Sequence, residues 1–349
     1  MKVVRIIFFP VLLVLSVVYY LFFRLLRLKS IFAVRYSASC KVVCVGNATV
    51  GGSGKTEIVK KIVYVLKERA RNVVVITKGY KRKSKEEILC LNKEYENRLI
   101  NAEEYGDEPA MLFNELNVPV VVGKDKNKII SYAMTRFMPE VIISDDGYQN
   151  FSFYKDVNIL VVNAKRTFWD KFMLPLGNLR EPLKESVKRA DLVVLNHVSM
   201  VKDELVENLR KKISKYNRDV KVVNCCYRLK NFVNCGSGEV ISKESFKEKN
   251  QKVVLVVGVG FPESVEFLLF RNGFEIVQQF LFPDHYWYKK KQLEKILSNY
   301  CIVLTPRFLP NPISVGKSPI MKDFFKSTFG KIFFTIPISG FLQPHPSSG

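Results

Sequence analysis

The stretch from Lys41 to Thr56 carries residue types spaced to hold phosphate: an apolar run, Val42 to Val45, then Gly46-Asn-Ala-Thr-Val-Gly-Gly-Ser-Gly-Lys-Thr56. A strand that breaks into glycines and opens a helix at Lys-Thr forms a P-loop. The backbone N–H groups from Thr49 through Gly51, Gly52, Ser53 and Gly54 are expected to wrap the phosphates of a nucleotide. Lys55 would reach the β/γ oxygens, and the Thr56 hydroxyl would face Mg²⁺. The strict pattern asks for glycine at position 49, where this chain has Thr49. An ordinary glycine-rich turn is the plain alternative. The preceding strand and the apolar face Ile58, Val59, Ile62, Val63, Leu66 favour the nucleotide reading. Two further acids follow an apolar strand, in Val141-Ile-Ile-Ser-Asp145-Asp146-Gly147. Such a position suits a Mg²⁺-binding carboxylate, and Asp-Asp-Gly also suits a plain turn. Asp107 stands in Gly106-Asp-Glu-Pro109, where, on these residues alone, an ordinary N-cap is the favoured reading over a site residue.

These residues need a scaffold that brings them to one edge. Short apolar runs at 73–76, 118–122, 141–143, 157–162 and 192–195 alternate with helical stretches, which predicts a parallel α/β sheet. Its ligand should lie at the carboxyl ends of the strands, where the P-loop, Lys78, Asp107 and Asp145/Asp146 would converge. From about Cys225 the composition turns polar, and a second, smaller α/β unit is expected beyond it. There Val253–Val257 runs into Gly258-Val-Gly260-Phe-Pro262, which resembles the first two glycines of a dinucleotide fingerprint. The third glycine is absent, so the segment reads as a strand-to-helix turn. The expected organisation is a membrane-associated helix over 1–36, a P-loop NTPase-type domain over 37–224, and the smaller α/β domain with an atypical tail over 225–349.

Composition narrows the partners. The chain has 349 residues, 48 % of them hydrophobic, and a formal charge of +22. That is too apolar for a disordered protein, and the charge asks for an anionic membrane face, an anionic lipid or nucleic acid. No nucleic-acid motif accompanies the scattered lysines and arginines, so nucleic acid is not expected. Seven cysteines without a CxxC pair suggest reduced thiols. From Ile6 to Phe23 no charge occurs, and only Pro10 and Ser16 interrupt the apolar run. This is near the ~20 residues that span a bilayer. Arg24, Arg27, Lys29 and Arg35 outweigh Lys2 and Arg5, which places the body on the cytoplasmic side. A signal peptide is the rival, but no A-x-A site follows. Spanning and interfacial placements both remain open.

Five segments in order are similar to the tetraacyldisaccharide 4′-kinase family of the lipid A pathway. They are 46–56, Gly-Asp-Glu-Pro (106–109), Ile-Ser-Asp-Asp-Gly-Tyr-Gln (143–149), Leu-Pro-Leu-Gly-Asn-Leu-Arg-Glu-Pro (174–182) and Phe-Pro-Asp-His-Tyr (282–286). Thr49 is also this family's habit. The resemblance implies transfer of the ATP γ-phosphate to the 4′-hydroxyl of an acylated disaccharide 1-phosphate lipid, giving lipid IVA. It implies action at the cytoplasmic face of the bacterial inner membrane. It further implies Asp107 as catalytic base with His285 beside it, and Asp145 and Asp146 in the metal and catalytic cluster. Gln149 is expected close to that cluster, with Arg180 on an anionic oxygen and Glu181 on the same loop. Lys78, Asn150 and Glu57 depart from the family's Arg, His and Pro, and beyond Thr305 the resemblance ends. Two other readings stand beside the kinase: a membrane-bound P-loop ATPase coupled to a protein partner, and a decayed, non-catalytic lipid-binding homologue.

Overall fold

In the computed structural model the described residues are 6–283 except 33, 81, 96–99, 101, 166, 235–238 and 250, together with 286, 292, 295–296, 302–305, 332–335 and 338–343. Runs of β-branched residues build the centre: β1 (Lys41–Gly46), β2 (Val73–Thr77), β4 (Val120–Gly123), β5 (Val141–Asp145), β6 (Val157–Asn163) and β7 (Leu192–Asn196). With β3 (Ile88–Leu91), β8 (Lys221–Leu229) and β15 (Ile338–Gln343) they form a nine-stranded sheet, ordered β15-β8-β7-β6-β1-β5-β2-β4-β3. Neighbours run parallel from β8 to β4, and only the edge strands β3 and β15 are antiparallel.

Both faces of this sheet are buried, which explains strands without polar alternation. Val73 and Val75 face Val59, Val63 and Leu112, whereas Val74 and Ile76 face Ile129, Ile130 and Ala133. The first face is covered by the helix after the P-loop, α2 (Lys55–Glu68), and by α3 (Asp107–Leu116); the second by α4 (Lys126–Phe137). Lys60 joins α2 to α3. It is 7 % exposed, and its ammonium meets Glu57 at 2.7 Å and Glu115 at 2.8 Å. Burial opposes its charge, yet the two carboxylates prevail and push its pKa up to about 12. Glu57 therefore helps hold the lysine that ties α2 to the helix beginning at Asp107.

The smaller unit has a six-stranded sheet ordered β10-β9-β14-β13-β11-β12, built from β9 (Asn231–Asn234), β10 (Val240–Ser242), β11 (Lys252–Val257), β12 (Glu275–Leu281), β13 (Ile302–Thr305) and β14 (Ile332–Thr335). Phe232 stacks on Phe246 at 3.9 Å and meets Phe274 edge-on at 5.4 Å to fill its core. Two findings amend the expected layout. Strand β8 runs straight through position 225 as part of the large sheet, so that sheet extends to Leu229. The tail beyond Thr305 also contributes β14, parallel to β13, and β15, antiparallel to β8, one strand to each sheet. Residues 289–298, whose sequence suits a helix, fall largely outside the described residues.

Helix α1 (Phe9–Phe32) is 24 residues long, and the stretch Phe9–Ser30 is long and apolar enough to cross a membrane. One stripe of it, Phe9, Leu12, Ser16, Tyr19, Phe23 and Arg27, turns toward the large domain. The other faces, with Val14, Val18, Leu21, Phe22 and Leu25, are exposed.

Removing one member of a buried ion pair strands its partners. Lys60→Met should therefore lower the urea unfolding free energy by about 3 kcal/mol, and adding Glu115→Leu should recover part of the loss.

Candidate active site

Strand β1 ends in a loop whose shape is fixed by local contacts. The Asn47 amide donates to the Thr49 carbonyl at 2.7 Å, and the Lys55 ammonium donates to Asn47 Oδ1 at 3.2 Å. Gly54, at φ 77°, caps α2; a Cβ there would lie 2.2 Å from both Asn196 Nδ2 and the Tyr227 hydroxyl. Only glycine fits. Asn196, at the end of β7, donates to the Ser53 carbonyl and to Tyr227 Oη, each at 2.7 Å. The loop is thus tied to the strand two places away in the sheet.

Strand β5 delivers the acids. Asp145 is 2 % exposed, and its Oδ1 is buried without a hydrogen-bond partner among the described residues. Burial first, and Glu108 next, push its pKa up to about 7. Lys126, fully buried beside it, donates to the carbonyls of Ile76 at 3.4 Å and Asp145 at 3.3 Å, and burial pulls its pKa down. Asp146 has a different environment. It adopts φ 49°, and its two oxygens each accept from Arg180 Nη1 at 3.0 Å, with Lys55 Nζ 3.6 Å away. Burial resists its charge, but Lys55 and Arg180 together hold its carboxyl below the usual range. Lys155 fastens the turn that follows, donating to Gly147 O at 2.8 Å and Tyr148 O at 3.1 Å.

The loop 172–182 brings Arg180 to this point. Arg180 N donates to Ala48 O and Val50 N to Asn178 O, both at 2.8 Å, so the loop runs along the outer edge of the P-loop. Glu181, with no exposed side chain, accepts from Arg189 at 2.7 Å. Gln149 donates to Asn47 O at 2.7 Å and to Glu181 Oε1 at 2.9 Å. Its amide therefore braces the P-loop from behind. The smaller unit closes the other side, where a Cβ on Gly52 would lie 2.9 Å from the Gly260 carbonyl carbon. The strand-to-helix turn at 258–262 is a wall of this site. Between them lies a cavity of about 140 Å³ lined by Thr49, Gly52, Ser53, Lys165 and Phe261.

Asp107 is the first residue of α3, and Gly106 occupies the N-cap at φ 100°. The capping reading of Asp107 is overturned. Gly106 lies against Gly79 and Tyr80 O, so Asp107 and Glu108 start beside the loop that follows β2, at the same sheet edge as Asp145. His285 lies outside the described residues. Asn196, Glu108, Lys126 and Lys155 escaped the sequence reading. Asn196 had a signal, being an asparagine just past the apolar run 192–195. The lysines had none, since their burial is a tertiary fact. The orphaned Asp145 oxygen, the adjacent Asp146 and the Thr56 hydroxyl on the first turn of α2 are hard oxygen donors that suit Mg²⁺, which binds through one or two carboxylates with the remainder from phosphate and water.

Known proteins resemble this chain over most of its length. The family model described as tetraacyldisaccharide-1-P 4′-kinase matches residues 8–307. A tetraacyldisaccharide 4′-kinase of Aquifex aeolicus is 36 % identical over 248 residues, covering 71 % of this chain and 72 % of that one. One from Elusimicrobium minutum is 32 % identical over 265 residues, covering 74 % and 69 %. The crystal structure of the Aquifex aeolicus protein LpxK in complex with ATP superposes with a TM-score of 0.70 at 26 % identity, covering 97 % of this chain and 95 % of that chain.

One buried group at the site should show itself in acid. His197 is 4 % exposed, sits between the rings of Tyr227 and Phe261 at 4.9 and 4.8 Å, and burial, helped by Lys165, pulls its pKa down to about 3. Its contribution is fully present above the ordinary histidine range and is lost as pH falls toward the folded value, by up to roughly 3 kcal/mol at pH 4. His197→Asn keeps a residue tolerant of the local φ of 59° and does not titrate. Its unfolding free energy should fall less steeply than that of the wild type between pH 6.5 and 4.

Proposed function

The chain belongs to the tetraacyldisaccharide-1-phosphate 4′-kinase family, and from that membership we propose how its residues divide the work of moving the ATP γ-phosphoryl group to the 4′-hydroxyl of the acylated disaccharide 1-phosphate. One observation carries the reading: Lys55 and Arg180 converge on a single carboxylate, Asp146, at the mouth of the P-loop. Two cations so placed match the charge of a triphosphate far better than that of one aspartate.

The N–H groups of Gly51 to Thr56 cradle the phosphates. Lys55 neutralises the β/γ oxygens, and Arg180 faces the group in flight. Thr56, Asp145 and Asp146 would hold Mg²⁺, which when bound spreads the negative charge of the β- and γ-phosphates. Asp107 accepts the proton of the attacking 4′-hydroxyl as that oxygen bonds to the γ-phosphorus. The bond from that phosphorus to the β–γ bridging oxygen breaks, and ADP leaves. His285 is the proposed partner that orients Asp107. The exposed faces of α1 are proposed to meet the membrane that presents the lipid.

The test is transfer of labelled γ-phosphate to a lipid A precursor in detergent micelles. Wild-type protein should label the acceptor, Lys55→Ala should abolish labelling, and Asp107→Ala should lower it by about 10²- to 10⁴-fold. Full turnover by Asp107→Ala would reduce that residue to a helix-starting role. ATP hydrolysis that ignores the acceptor would favour an ATPase instead.

A further inference from the structure

Helix α1 has a structural feature that membrane attachment leaves unexplained. Ser16 is the polar interruption in the uncharged run, and it points inward, 5 % exposed. A buried hydroxyl on an apolar helix costs free energy unless it is bonded. A bond to its own helix would suffice, and Ser16 Oγ does lie 2.9 Å from Leu12 O. It also lies 2.9 Å from Met173 O and accepts from Leu176 N at 3.1 Å. The hydroxyl's one proton is thus shared between two carbonyls, while its lone pair binds an amide 160 residues along the chain. One turn further on, the Tyr19 hydroxyl donates to Arg180 O at 3.1 Å. Arg27 pairs with Glu185, and Phe9 meets Phe172 edge-on at 6.1 Å.

All of these partners lie on the segment that carries Arg180 or directly beside it. The segment from Met173 to Arg180 belongs to no helix or extended strand. Its own backbone bonds are few, a bridge between Met173 and Leu179 and the Gly177 N bond to Met173 O at 2.8 Å among them, so its neighbours contribute to its shape. Its far side is bonded to the P-loop, through Arg180 N to Ala48 O and Val50 N to Asn178 O. The helix and the P-loop therefore grip opposite sides of one loop, and the Arg180 side chain reaches from it to Asp146.

We propose that Ser16 and Tyr19 are positioning residues through which the amino-terminal helix sets the nucleotide site: they hold the Met173–Arg180 loop in the conformation that places Arg180 on Asp146 and supports the P-loop edge. The helix is then part of the phosphate site's scaffold as well as a membrane contact. Seating it differently in a bilayer shifts Arg180.

The inference rests on the kinase reading of the site, and measuring ATP binding directly keeps the two separable. Full-length protein in detergent micelles is titrated with Mg²⁺-ATP and assayed for transfer as wild type, Ser16→Ala, Ser16→Thr, Tyr19→Phe, Arg180→Ala and Ser16→Ala/Arg180→Ala. Loss of a buried hydrogen bond should weaken ATP binding about fivefold in Ser16→Ala and in Tyr19→Phe. Ser16→Thr, which keeps the hydroxyl, should restore it. The acceptor KM and partition onto anionic phospholipid vesicles should not move. The decisive readout is the cycle: adding Ser16→Ala to Arg180→Ala should cost almost nothing further. Unchanged ATP affinity in both Ser16→Ala and Tyr19→Phe overturns the proposal. A Ser16→Ala loss that adds in full to that of Arg180→Ala overturns it as well, as does a change confined to vesicle partition. Wild-type protein that binds no ATP removes the kinase reading itself.

Discussion

Asp146 is the residue that the rest of the site holds in place. A non-glycine residue at φ 49° occupies a sparsely populated region of backbone space, at a cost of about 1 kcal/mol or more. Its surroundings hold it there: Arg180 with two bonds at 3.0 Å, Lys55 at 3.6 Å, and Lys155 gripping the carbonyls of the next two residues. The strain has a chemical use, since it turns one carboxylate of the β5 pair outward toward the P-loop while its neighbour stays in the interior.

The two adjacent aspartates consequently differ. Burial pushes the pKa of Asp145 up, with Glu108 adding to the pressure, whereas Lys55 and Arg180 hold that of Asp146 down against its own burial. Environments that drive two carboxyls apart in this way divide labour between them. Asp146 balances Lys55 and Arg180, and Asp145 has a buried oxygen without a hydrogen-bond partner among the described residues. Around them the scaffold is continuous. Asn196 ties the P-loop to β7, Lys60 ties α2 to α3, the 172–182 loop ties the P-loop to α1, and Gly260 backs onto Gly52. Few of these ties are hydrophobic contacts; most are single polar bonds made in sheltered positions, where geometry matters most.

Much of this was legible in the sequence. The valine-rich runs announce strands buried on both faces, and the Gly-rich turn into Lys55-Thr56 announces phosphate, because each signal is local. What stayed hidden is what depends on distance in space. Lys126 looks like a surface lysine in the sequence and becomes buried only when β5 and α4 pack, while Lys155 becomes half-buried over the turn that follows β5. Gln149 reads as a nucleotide neighbour, yet the fold uses its amide between Asn47 and Glu181. Asp107 reads as a cap until Gly106 is found in that position. The tail past Thr305 lacks the family's pattern, and strands β14 and β15 still pair with both sheets, because pairing asks for alternation and register more than for particular residues.

If Asp146 stands in for phosphate charge before nucleotide arrives, removing its charge should free Lys55 and Arg180 for that charge. The direct measurement is calorimetric titration of metal-free ATP into wild type and Asp146→Asn. The variant should bind metal-free ATP about tenfold more tightly, since a competing carboxylate is gone, while its transfer activity with Mg²⁺ collapses. Equal or weaker binding of metal-free ATP by Asp146→Asn would contradict the account.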